Sequence, residues 1–303
     1  MNRISRRNFL KAASAAAACT AAWGSASTVM ANALGLPIGL QLYSVRELLP
    51  KDYQGTLKRL GEMGYQEVEA AGFYGYTAGE VKQAMDQAGL RCVSAHYPLA
   101  QLMPEEGEII QYGKDLGLQD IVCSSPSLRD PSRLKPGGAR ALAAVMTLDD
   151  WRWNAEQFNR IGERVNAAGI RFGYHNHTGE FRAIDGVVAY DELLRLTDPA
   201  KVTMEMDCGW VIVGGGNPVD YLTRYPARFS MLHVKEFKLG GTTTGDEAPP
   251  STEMGRGSID YRPIFEAAKK TDMKHIFVEQ EEFDMPPLEA LKIDADYMEA
   301  FTA

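Results

Sequence analysis

Eight short apolar runs, separated by helix-like stretches, set the tightest limit on how this chain can fold. The runs span 38–43, 67–71, 91–96, 120–124, 171–177, 202–207, 230–235 and 275–280. They show little polar alternation, which suits strands of a parallel sheet covered on both faces. Amphipathic candidates lie between them. In 51–63, Leu57, Leu60 and Met63 recur at helical spacing. Residues 77–88 open with Thr77 and Glu80 in capping-box order. The stretch 148–168 is the longest, and 217–225 opens on Asn217 followed by Pro218. Stretches 261–270 and 287–301 complete the set. Eight βα units in about 270 residues predict a single closed (β/α)8 barrel. An open doubly wound sheet would carry a Gly-rich phosphate turn after its first strand, whereas Tyr43, Ser44, Val45 and Arg46 stand there. Gly214, Gly215 and Gly216 come late and read as a flexible loop. Two long loops, 126–147 and 238–258, both follow strands, so they are expected at the C-terminal face as lids or substrate walls.

The first residues are read apart from the fold. Arg6 and Arg7 form a twin-arginine pair, an Ala-rich weakly apolar stretch follows to about Ala22, and Ala31-Asn32-Ala33 is a small-x-small cleavage site. This order predicts a Tat signal over 1–33, a barrel over 34–303, and a periplasmic protein that meets the Tat machinery. The apolar stretch is too short to span a membrane, so no stable insertion is expected. Cys19 sits in a poor lipidation box, and a lipid anchor is disfavoured.

The whole chain carries a formal charge of −8. The signal contributes basic residues and no acidic ones, so the exported part is more acidic still. That disfavours nucleic acid as a partner. Cys92, Cys123 and Cys208 each fall in a strand-like run and read as buried free thiols, not a disulfide framework.

Polar residues gather at predicted strand ends. His96, His175, His177 and His233 end strands, on the face where barrel enzymes place their chemistry. His275 starts its strand, at the opposite end, and reads as structural. Strands five to eight end in His175 and His177, in Asp207, in His233 and Lys235, and in Glu279. Each polar residue follows apolar ones, so each needs a buried partner. A shared divalent cation is the simplest partner; a hydrogen-bonded ion-pair network is the alternative. Two imidazoles with two carboxylates suit Mn, Co, Fe or Zn, and Mg less well.

These residues, with Glu67-Val68-Glu69 at strand two, Val93 to His96 at strand three, Asp207-Cys208-Gly209-Trp210 and the run Gly255 to Asp260, resemble the xylose-isomerase-like TIM-barrel superfamily of sugar isomerases, epimerases and inosose dehydratases. The resemblance covers nearly all of the chain after the signal. It implies one metal held by Asp207, His233 and Glu279, with His175 at a fourth position that is Glu in the epimerases. There both glutamates also move protons, one on each face of the sugar. A histidine in that place weakens a symmetric two-base epimerase. It leaves room for a lyase, a dehydratase, or an isomerase with another base.

The expected chemistry is metal-dependent isomerase or epimerase chemistry, by proton abstraction beside a carbonyl through an enediolate. Lyase or dehydratase chemistry, including cleavage of a 3-keto glycoside, is the alternative on the same site. Glu279 is the first candidate base, Glu180 the second and His177 the third. His96, Lys235, Glu69 and Trp210 are candidate substrate contacts, with Tyr43 and Phe73 as possible walls. For Lys235 the competing expectation is a rim salt bridge with Glu236 or Glu205. No Gly-rich phosphate cradle appears at strands seven and eight, so a neutral sugar or keto-sugar is expected. The same fold also hosts DNA-repair endonuclease IV, which the acidic charge and signal oppose. A non-catalytic sugar-binding protein would keep the ligands without a working base. The resemblance also implies a homo-oligomer.

Overall fold

A computed structural model describes residues 33–240 and 249–301 of the 303-residue chain. The expected signal, its cleavage site and Cys19 therefore lie almost wholly outside the described residues.

The eight expected strands are present: β1 (Gly39–Gln41), β2 (Glu67–Ala70), β3 (Arg91–Pro98), β4 (Asp120–Ser125), β5 (Arg171–His175), β6 (Thr203–Asp207), β7 (Phe229–Val234) and β8 (His275–Val278). All pair in parallel with their sequence neighbours, and β1 pairs with β8, which closes the barrel. Helices cover the outside. The Thr77–Glu80 capping box forms as expected, and Asn217 caps its helix through Val219 N. Four helices were not expected: Leu99–Leu116, Gly138–Val145, Ala189–Leu196 and Cys208–Val213. The expected loop 126–147 thus contains a helix. The expected loop 238–258 contains the second strand of a short antiparallel ribbon, Ser251–Thr252 paired with Glu236–Phe237, and residues 241–248 lie outside the described set. Among the described residues no helix is long and apolar enough to cross a membrane. Cys92, Cys123 and Cys208 are buried and free, as expected.

Strand alternation stacks the barrel interior in three layers. At the bottom, Arg171 pairs with Asp120, and His275 Nδ1 lies 2.8 Å from Glu67 Oε2. His275 is structural, as its position at the strand start suggested. Val93, Val122, Met231 and Phe277 form an apolar plug in the middle. Gly39 and Gly173 leave room for it, since a Cβ on Gly39 would lie 2.5 Å from Phe277 and one on Gly173 3.1 Å from Met231. The top layer is polar and forms the site.

The C-terminal helix (Pro287–Ala300) carries a buried acid. Asp294 is 1 % exposed and accepts a hydrogen bond from Met254 N at 2.7 Å, while its Oδ2 has no partner. Burial pushes its carboxyl up from 3.8 to about 7, against the pull of the Met254 N–H. The folded protein therefore holds this proton up to about pH 7, whereas the unfolded chain releases it near 3.8. Asp294 accordingly favours folding below about pH 4, and stability falls as pH rises from there to about 7. Asp294→Asn, which keeps the acceptor without the charge, is expected to raise the Tm at pH 8 and to leave it nearly unchanged at pH 4. Thermal melts at the two pH values check this. Equal shifts at both would show that the buried charge is not the cause.

Candidate active site

The top layer of the barrel brings a ring of imidazoles and carboxylates together. Glu69, Glu205, Asp207 and His233 are each 0 % exposed, and His175 is 2 % exposed. Glu205 sits at the centre. Its Oε2 lies 2.7 Å from His96 Nε2, 2.9 Å from His175 Nδ1 and 3.3 Å from His233 Nε2. Glu69 Oε1 accepts from Gln41 Nε2 and lies 2.8 Å from His233 Nε2, while Ser94 Oγ donates to Glu69 Oε2 at 2.5 Å. On the other side, His233 Nδ1 lies 3.0 Å from Glu279 Oε2. Each nitrogen of His233 thus faces a different carboxylate group.

Two overlapping sets of four have all their donor atoms within 4.8 Å of one another. One is His175, Asp207, His233 and Glu279; the other is His96, His175, Glu205 and His233. The first is the set expected from the sequence. Two carboxylate oxygens in these sets are buried without a hydrogen bond: Glu205 Oε1, and Asp207 Oδ2, which has only the Lys235 ammonium at 3.5 Å. Buried anionic oxygens short of hydrogen bonds are costly. A divalent cation among these donors would satisfy them, so the residues fit the group that the resemblance implies.

Lys235 is 1 % exposed and lies 2.5 Å from Glu281 Oε1, 3.0 Å from Glu279 Oε2 and 3.5 Å from Asp207 Oδ2. The expected rim pair with Glu236 or Glu205 is therefore not formed. Glu236 turns away and accepts from Phe237, Ser258 and Ile259 N–H groups, which secures the loop after the ribbon. The Lys235 ammonium also lies 4.6 Å from the Trp210 ring centroid, a cation–π contact.

The electrostatics follow this packing. Burial alone would raise the Glu279 carboxyl, but Lys235 and His233 hold it well below the usual carboxylate range. Burial pushes Asp207 up to about 6, although Lys235 opposes this. Burial opposes a charge on His96, yet Glu69 and Glu205 lift it to about 9. His177 falls to about 3 because it is buried and faces Lys235, so it is neutral at pH 7.

A cavity of about 1100 Å³ opens above this layer. Three carboxylate residues line it among those described: Glu180, Glu279 and Glu281. His96, His175, His177, Trp210, Tyr43 and Phe73 line it too, whereas Glu69 and Lys235 lie beneath. Glu180 has an assigned task already. Its Oε1 accepts from Tyr174 OH at 2.6 Å and from His177 N at 3.0 Å, so it braces the turn that carries His177. Trp210 is placed by Asp207, whose Oδ1 caps the helix Cys208–Val213 through Trp210 N at 2.8 Å. Gly209 permits that helix to sit against β7, since a Cβ there would lie 2.5 Å from Lys235 O.

Sequence reasoning missed Glu205, Glu281, Gln41 and Ser94. A signal existed for Glu205. In Thr203-Met204-Glu205-Met206-Asp207 it precedes Asp207 by two, so both share the inner face.

Comparison with known proteins fits this geometry. Residues 57–301 match the family described as xylose isomerase-like TIM barrel, and residues 3–23 match the twin-arginine translocation signal sequence, which points to export. An inosose dehydratase of Geobacillus thermodenitrificans is 25% identical over 248 residues, covering 74% of this chain and 82% of that enzyme. One from Lacticaseibacillus casei is 29% identical over 139 residues, covering 41% of this chain; the chain spans only 45% of that relative's length. The structure of a sugar phosphate isomerase/epimerase from Parabacteroides distasonis superposes with a TM-score of 0.70 at 27% identity, covering 93% of this chain and 97% of that one. These relatives carry the names of a dehydratase and of a sugar phosphate isomerase/epimerase. The chain belongs to the xylose isomerase-like TIM barrel family.

Proposed function

We propose that this protein is a divalent-metal-dependent lyase acting on an uncharged keto-sugar or its glycoside. It removes the proton beside the carbonyl and expels the oxygen substituent on the next carbon. The observation that carries this reading is the one-sided supply of carboxylates. Of the three that line the cavity, Glu180 has its Oε1 taken by Tyr174 OH and His177 N, while Glu279 and Glu281, which share Lys235, both follow β8. At the end of β5, where a second base would act from the other face, stands His175, whose Nδ1 is taken by Glu205. Proton removal and return on one face supports elimination more than inversion at carbon.

His175, Asp207, His233 and Glu279 are the residues that would hold the cation. Glu205 beside His175 Nδ1, and Glu69 beside His233 Nε2, would orient the imidazoles so that the opposite nitrogens face it. When bound, the cation would supply Lewis-acid charge where the carbonyl oxygen becomes negative. Mn, Co, Fe or Zn suits the donor set better than Mg.

Glu279 is held ionised by Lys235 and His233, and it borders the cavity. It accepts the proton as the C–H bond breaks and the electron pair moves toward the carbonyl oxygen. The pair then returns from that oxygen, so the carbonyl re-forms, a double bond forms to the next carbon, its C–O bond breaks, and the leaving oxygen departs with the proton Glu279 took. No redox partner is required. Among the described lining residues, Arg182 is the sole Lys or Arg side chain, which supports a neutral substrate over a sugar phosphate. The twin-arginine signal supports work in the periplasm, with 34–303 as the working enzyme.

The test follows a 3-keto-glucoside, methyl 3-keto-β-glucoside, in D2O by proton NMR with metal-loaded protein. Loss of the C2 proton with release of methanol is expected. Deuterium at C2 with an epimer and no methanol would give an epimerase instead. No exchange after loading with Mn, Co and Zn in turn would overturn the proposal. Metal content per chain, measured beside Asp207→Ala and His233→Ala, is expected to fall from about one to near zero in both variants.

A further inference from the structure

Five large hydrophobic side chains are exposed among the described residues, and three of them line the one cavity above the site. Tyr43 is 41 %, Tyr74 38 % and Tyr76 38 % exposed. Phe73 joins Tyr74 and Tyr76 in the loop after β2, while Tyr43 sits in the turn after β1. Together they make an aromatic wall on the side of the cavity away from His177 and Trp210. It contains no charged side chain.

The wall is held in place. Tyr76 packs tilted against buried Tyr53 with ring centroids 4.6 Å apart, and Tyr74 lies 6.1 Å from the same ring. Tyr112 OH donates to Tyr76 O at 2.8 Å while its ring packs 4.5 Å from Phe73. Arg46 covers the Tyr43 ring at 4.2 Å and donates to Glu281 O, tying the wall to the loop that carries Glu281. Tyr74 has φ +53°, a left-handed conformation that a bulky residue adopts only at a cost. Such strain at a cavity mouth points to use by a ligand. The indole N–H groups of Trp151 and Trp210, both lining the cavity, also have no protein partner.

The volume sets the size of that ligand. About 1100 Å³ lies above the range of about 300–1,000 Å³ typical for ligand pockets, and far beyond what one sugar ring needs. Tyrosines offer a ring face for stacking and a hydroxyl for hydrogen bonding, which suits a neutral ring.

We propose that Tyr43, Phe73, Tyr74 and Tyr76 form a subsite for the uncharged second ring of a glycoside whose reacting sugar sits at the histidine–carboxylate cluster. This rests on the keto-sugar lyase reading and assigns the wall to the leaving group. The second ring is either another sugar or an aryl group, and the ligands below separate the two.

The test uses unoxidised glycosides, which have no carbonyl and cannot react. Binding of methyl β-glucoside, phenyl β-glucoside and cellobiose to the metal-loaded protein is measured by calorimetry. At least one two-ring ligand is expected to bind about tenfold or more tighter than the methyl glucoside. Tyr43→Ala and Tyr74→Ala should each bring that preference down toward unity, whereas Tyr74→Phe should retain most of it. A preference for phenyl glucoside alone assigns an aryl leaving group; one for cellobiose assigns a second sugar. No preference in the unmodified protein, an intact preference in the Tyr43→Ala, Tyr74→Ala double variant, or no binding of any of the three overturns the subsite. Preference without reaction in the NMR experiment would remove the lyase reading and leave the subsite standing.

Discussion

Glu279→Gln is expected to lower turnover by about 10²- to 10⁴-fold, the usual worth of a positioned acid–base group, while sugar still binds. The substitution keeps the side-chain shape and one acceptor oxygen but removes the charge that takes the proton. Lys235 and His233 now share a neutral amide in place of the carboxylate they held at 3.0 Å each. Part of the loss will come from weaker metal binding, so metal content is measured on the same sample and the assay is run with metal in excess. A residual deficit of at least about 10²-fold under saturating metal assigns proton transfer to Glu279. Recovery of full turnover would reduce Glu279 to a ligand, and His177, neutral and bordering the cavity, would become the leading base. Unchanged sugar affinity with no turnover in either protein would favour the sugar-binding protein without catalysis.

The barrel was legible because its signal is repetitive. Each strand is buried on both faces, so each reads as an apolar run, and eight in order leave little choice of fold. The helix Leu99–Leu116 escaped because its inward face is interrupted. Glu106 and Gly113 occupy buried positions at helical spacing, and Pro104 stands within the first two turns. Glu106 is tolerated because Arg164 lies 2.7 Å away, a partner 58 residues on that no local pattern reveals. Cys208–Val213 was missed for the opposite reason. Its apolar sequence reads as an extension of β6, and only the Asp207 cap turns it into a helix.

The site divides in the same way. His175, Asp207, His233 and Glu279 were visible because each ends an apolar strand, and the structure places their donor atoms together. What each does to its neighbours was not visible. Lys235 reads from the sequence as a substrate contact, or else a rim ion pair, because the sequence alone does not show that Glu281, two residues beyond Glu279, folds back to meet it. Glu180 looked like a base because its proximity in sequence to His177 does not show that Tyr174 and the His177 N–H already use its oxygen.

Lys235→Met is expected to lower the stability of the metal-free protein by about 3–5 kcal/mol, the cost of leaving buried charges without their partner. At about 2–4 °C per kcal/mol for a domain of this size, the Tm should fall by about 10 °C. The reason lies in what the ammonium separates. Asp207, Glu279 and Glu281 all lie within 3.5 Å of Nζ, and Asp207 and Glu279 are buried. Methionine fills the space of the stem but leaves the three carboxylates facing one another. A divalent cation held by Asp207 and Glu279 replaces part of the lost positive charge. Added Mn or Zn should therefore raise the Tm of Lys235→Met more than that of the unmodified protein. Ligand at about 100 times its Kd contributes about 2.7 kcal/mol to either; the excess in the variant measures the repulsion that the cation relieves. Lys58→Met, at an exposed pair with Glu62, serves as the control and should shift the Tm little. If Lys235→Met melts within about 2 °C of the unmodified protein without metal, the three carboxylates are not charged together and the ion-pair account of this layer fails. If it is destabilised but metal gives no extra gain, Asp207 and Glu279 do not share a cation, and the ligand set must be sought in His96, His175, Glu205 and His233.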